Sequence, residues 1–139
     1  MAISAVSGAS TPSLTGVTDP AQARILADLR ARDRQVRAHE AAHLAAAGGL
    51  ARGGASFTYT RGPDGRNYAT GGEVSIDATA ADTPSATLAK AQQIQAAALA
   101  PADPSPQDRS VAAAAATMAA RARRDLQTSG PGQLLDTTA

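Results

Sequence analysis

Hydrophobic and small positions first recur at helical spacing in the stretch that begins near residue 20. Ile25, Leu29, Val36, Glu40, His43 and Ala47 fall along one side, with Leu26 and Leu44 on its flank, and predict a helix from about Pro20 to Ala47. Asp19 is placed to cap its start, with Pro20 at the first helical position, and Gly48-Gly49 stops it. The pattern then changes period. Ser56-Phe57-Thr58-Tyr59-Thr60 alternates and is rich in β-formers. Arg61-Gly62-Pro63-Asp64-Gly65-Arg66 carries turn chemistry, and Asn67-Tyr68-Ala69-Thr70 reads as the return strand of a hairpin. Gly71-Gly72 marks a bend or bulge, and Glu73 to Asp77 extends the sheet.

Helical spacing returns after Thr83-Pro84. Leu88, Ala91, Gln95 and Ala98 form one line, with Ile94 and Leu99 beside it, to about Ala100. Pro101-Ala102-Asp103-Pro104 breaks that helix. Ser105-Pro106-Gln107-Asp108 then reads as an N-cap, a first-position proline and an acid at the third position, close to a capping box. A last helix follows to about Leu126, with Val111, Ala115, Met118 and Ala122 on one line. The expected fold is therefore α+β and mainly helical: a long helix, a β-hairpin and two further helices. Residues 1–17 are small and polar and are expected to be a disordered lead-in. One domain is expected over 18–127, with a disordered tail over 128–139.

Composition narrows what such a fold can do. The chain has 139 residues, no Trp, one Phe and two Tyr, and about a quarter of it is alanine. Alanine favours helix but buries little area, so closely packed helices are expected in place of a large core. The net charge is +1 with both signs interspersed, which gives no nucleic-acid footprint. No segment reads as a secretory signal or a membrane span, so a cytoplasmic protein is expected, export without an N-terminal signal remaining open. With no cysteine, disulfides and thiolate metal sites are excluded. Oligomeric state is left open.

The chemistry gathers at His39-Glu40-Ala41-Ala42-His43. This H-E-x-x-H run holds both histidines of the chain. On a helix the two imidazoles share a face, can bind one Zn²⁺, and leave Glu40 beside them as general base to a water. A catalytic zinc takes three protein ligands, so the third must be a carboxylate. Asp64 suits a turn tip, Asp82 precedes a helix, Asp103 lies in a proline-broken linker and Asp108 is a capping residue. Glu73 and Asp77 remain. They share a face whether the segment is strand or helix, but in a strand they stand roughly 13 Å apart, so one alone can reach the metal. Glu73 is preferred, because Gly71-Gly72 lets the backbone approach the helix closely, with Asp77 as the alternative or as a group that orients a ligand. Tyr68 is the expected oxyanion donor. Phe57 and Tyr59 are expected in the core. The hairpin edge is suited to hold an extended peptide by strand addition.

From Val36 to about Ala112 the chain resembles the SprA-related family of small bacterial metalloproteases. The resemblance is carried by VRAHEAAHLAAAGGLA, FTYTRGPDGRNYATGGEVSID and ATLAKAQQIQAAALAPADPSPQDRSVAA. It implies a zinc-dependent hydrolase with His39 and His43 as ligands and Glu40 as base. With Glu73 as third ligand the expectation is a gluzincin-like metalloendopeptidase acting on a peptide or protein substrate. Two rivals stand beside it: a zinc-stabilised structural or regulatory module without turnover, and a metal-free helical interaction protein.

Overall fold

The computed structural model describes residues 19–129. The expected lead-in, 1–17, and the tail beyond Ser129 lie outside the described residues. Helix α1 spans Pro20–Ala47, strand β1 Ser56–Arg61, strand β2 Asn67–Glu73, helix α2 Pro84–Ala98 and helix α3 Pro106–Thr128. The architecture is the expected one, mainly helical with one antiparallel hairpin. Among the described residues, no helix is long and apolar enough to cross a membrane.

Local chemistry sets the element ends. Asp19 accepts a hydrogen bond from the Ala21 N–H and caps α1. At the other end Gly48 takes φ +53°, a conformation that side chains disfavour, while its N–H bonds the Leu44 carbonyl. A single 3₁₀ turn, Gly48–Leu50, then redirects the chain. Thr83 caps α2, and Ser105 and Asp108 close a full capping box on α3.

Helix α1 packs against β2 and α2, and α2 packs against α3. The α2–α3 contact is built from alanine. Ala91, Ile94, Ala97 and Ala98 are buried on α2, and Ala112, Ala115, Ala119 and Ala122 on α3. Short side chains let the two axes approach, as the composition leads one to expect. The buried line of α3 runs through Ala112 and Ala119, one residue on from the expected Val111 and Met118. On α1 it is Leu26 that is buried, and Ile25 is exposed. Tyr59 is half-exposed, not core, because its face of the two-stranded hairpin is covered only in part by α1.

The hairpin register determines what reaches α1. Phe57 pairs with Gly72, Thr58 with Gly71 and Tyr59 with Ala69, which leaves Thr70 as an extra residue in β2. The bulge is therefore one position before the glycine pair. It reverses the alternation: Ala69 and Gly72, three residues apart, share a face with Tyr59 and Phe57. That face meets the helix, since Arg37 of α1 lies 5.2 Å over the Phe57 ring. Asp33 of α1 takes the Ala69 N–H at 2.8 Å. Two helical turns on from Asp33, about 10 Å, comes Glu40, and three strand residues on from Ala69, about 10 Å, comes Gly72. Beyond β2 the chain leaves the sheet, with one bridge between Ala51 and Ile76 in place of the longer strand expected over Glu73 to Asp77.

Candidate metal centre

His39 and His43 lie one turn apart on the buried side of α1, and α2 and α3 close over them. The His43 Nδ1 lies 2.8 Å from the Ala97 carbonyl oxygen in the last turn of α2. A carbonyl accepts only, so Nδ1 carries the proton and Nε2 presents a lone pair. That Nε2 is 3.2 Å from the His39 Nε2 and 3.2 Å from an oxygen of Asp108, whose other oxygen is 3.1 Å from the His39 Nε2. The three side chains make a nearly equilateral cluster.

The cluster fits a metal ion by its donor chemistry. His43 Nε2 and the Asp108 carboxylate are both acceptors, and at 3.2 Å they repel unless a proton or a cation lies with them. Two imidazoles and a carboxylate are a common zinc ligand set, and ligands bonded to a tetrahedral zinc stand ~3.3 Å from one another. His39, His43 and Asp108 are the one such group of three or more metal-ligating side chains among the described residues.

Asp108 reaches this position from the first turn of α3. One of its oxygens also accepts the Ser105 N–H at 2.8 Å, which completes the capping box and fixes the carboxylate. Burial pushes the Asp108 carboxyl up. The backbone and hydroxyl hydrogen bonds from Ser105, with the two histidines, outweigh it and hold the group below the usual aspartate value.

Glu40 is buried beside the cluster, and its Oε2 has no hydrogen-bond partner in the protein. Burial pushes its carboxyl above the usual glutamate value; His39 and His43 pull it back in part, and Asp108 and Glu73 add to the rise. Its other side is against the strand: a Cβ on Gly72 would stand 2.8 Å from Glu40 Cγ and 2.9 Å from Oε1. A cavity of about 340 Å³ contains the three cluster residues with Glu40, and a second of about 680 Å³ opens on the far side of His39, Glu40 and Gly72.

The other expected site residues lie differently. Glu73 is exposed and lines the smaller cavity, but it is not a member of the cluster. The bulge at Thr70 places Glu73 on the face with Gly71 and Thr58, opposite the face that meets α1. Asp77 is engaged elsewhere, with Lys90 at 2.9 Å and with Arg52 and Thr79. These hydrogen bonds, that of the Thr79 hydroxyl foremost, hold its carboxyl far below the usual range. Tyr68 donates its hydroxyl to Asp64 at the hairpin turn and lines neither cavity. Asp108 is the carboxylate that completes the cluster, and in the sequence its only signal is that of a helix cap.

No curated protein and no solved structure matches the chain. Residues 15–137 match the SprA-related family, and the chain belongs to that family.

Proposed function

We propose that this protein is a zinc-dependent hydrolase of peptide bonds, in which His39, His43 and Asp108 hold the metal and Glu40 is the general base. The observation that carries the reading is Glu40: a buried carboxylate oxygen without a partner, in the same cavity as three convergent metal-ligating side chains. A buried unpartnered carboxylate costs stability, and a role in proton transfer accounts for its retention. A zinc ion bound there would supply a Lewis acid for the scissile carbonyl and would acidify a water. Glu40 accepts a proton from the attacking water and delivers it to the leaving nitrogen. The Ala97 carbonyl keeps His43 in the tautomer that offers Nε2, and Ser105 keeps the Asp108 carboxylate oriented.

A second reading has its own support. Asp108 joins the start of α3 to α1, so a metal there would tie the helices together without turnover. A quenched-fluorescence peptide library on the zinc-loaded protein separates the two. The hydrolase reading expects cleavage by the wild type, and a loss of about 10²–10⁴-fold in kcat in Glu40→Gln with zinc retained. A zinc-loaded, folded wild type that cleaves no peptide overturns it and leaves the structural reading.

A further inference from the structure

We infer that Gly72 is the positioning residue for Glu40: the missing side chain at this one register point seats the carboxyl group of the base. The inference rests on the proposed role of Glu40 and goes beyond it by naming what places that group.

Its ground is a contrast between neighbouring glycines. A Cβ on Gly72 would meet Glu40 Cγ at 2.8 Å, Oε1 at 2.9 Å and Cδ at 3.1 Å. These separations are shorter than van der Waals contact allows, so the carboxylate or the strand must move. A Cβ on Gly71 would meet only Thr58, at 3.6 Å, an ordinary contact. Backbone conformation is not the reason for the glycine at 72. The positive-φ glycines among the described residues are Gly48, Gly53 and Gly65, so an alanine at 72 suits the main chain, and its nearest obstacle is Glu40.

Three features bring this glycine to the base. The Thr70 bulge turns Gly72 onto the helix face. Asp33 anchors Ala69 two turns earlier on α1, and Arg32 donates to the Thr70 carbonyl at 3.3 Å. The strand is therefore fastened on the N-terminal side of Gly72, and Glu40 is pressed between its own helix and a bare stretch of main chain. A carboxylate so confined has few rotamers to choose from, which is what a proton-transfer group requires.

The test uses the zinc-loaded full chain and the variants Gly72→Ala, Gly71→Ala, Glu40→Ala and Gly72→Ala/Glu40→Ala. Gly72→Ala is expected to keep its zinc and lose on the order of 10²-fold in kcat, with KM little changed, the scale expected of a misplacement near 1 Å. Gly71→Ala is expected to stay within about twofold of wild type, the range of an ordinary contact. Melting temperature supplies a readout that needs no turnover. Gly72→Ala is expected to lower it, and Glu40→Ala, which removes the atoms in the way, is expected to abolish that loss. The double variant thus restores the fold if Gly72→Ala alone is poorly folded. Equal activity of Gly72→Ala and Gly71→Ala, or a melting loss that persists without the Glu40 side chain, would overturn the inference. An inactive wild type would instead remove the hydrolase reading, and the melting cycle would still decide whether Gly72 seats Glu40.

Discussion

The two halves of α1 invert the usual rule of burial. In the first half Ile25 is 53% exposed, and in the second Glu40 and His43 are 3% and 5% exposed. An exposed isoleucine on one helix is unremarkable, whereas buried charged and polar groups require a reason. Here the reason is packing: the first half buries Leu26 but leaves Ile25 uncovered, while α2, α3 and β2 close around the second. Chemistry sits where polar groups are held against their solvation preference.

Substitutions break the contrast in a definite order. His43→Ala should have the largest effect on stability, roughly 2–3 kcal/mol by denaturant unfolding, because it opens a gap and strands the Ala97 carbonyl. Asp33→Ala, between the halves, should cost less than His43→Ala in the same measurement, since it leaves the Ala69 N–H without its acceptor. Ile25→Ser, in the exposed half, should change stability by less than about 0.5 kcal/mol. A large loss from Ile25→Ser would mean that the first half is covered by something and would dissolve the contrast.

Acid sharpens the same distinction by sign. Asp33, held down first by the Ala69 N–H, and Asp64 and Asp77, held down first by the hydroxyls of Tyr68 and Thr79, all have folded pKa values below the ordinary 3.8. Their stabilisation is complete above that value and is lost as pH falls through the lowered ones, because the unfolded chain then binds more protons. Glu40 runs the other way. Its folded pKa lies above the ordinary 4.5, so its contribution is present below that value and is lost as pH rises through the raised one. Unfolding curves of the chelator-treated protein across pH 2–7 should therefore show a steeper acid loss in Glu40→Gln than in the wild type. Parallel curves would contradict the assignment of Glu40 to a desolvated site.

Much of this arrangement was legible in the chain. The bounds of α1 follow from Asp19-Pro20 and Gly48, local signals that tertiary contacts did not override. The hairpin, the starts of α2 and α3, and the histidine pair were legible for the same reason. What could not be read depended on docking. Asp108 is 65 positions beyond His43, and only the packing of α2 on α1 and of α3 on α2 brings it there. Its capping role looked sufficient, yet a carboxylate has lone pairs enough to cap a helix and face two imidazoles together. In the sequence, the glycine pair beside Glu73 points to a close approach there. The approach is real, but the extra residue falls at Thr70, and a one-residue shift gives the helix face to Gly72 in its place.

The most direct test of the proposed centre is zinc content by plasma mass spectrometry, on the wild type, Asp108→Ala and Glu73→Ala after equilibration with zinc. About one zinc per chain is expected in the wild type and in Glu73→Ala, with the ion lost from Asp108→Ala. Retention in Asp108→Ala with loss from Glu73→Ala, or a folded wild type that takes up no zinc, would contradict it.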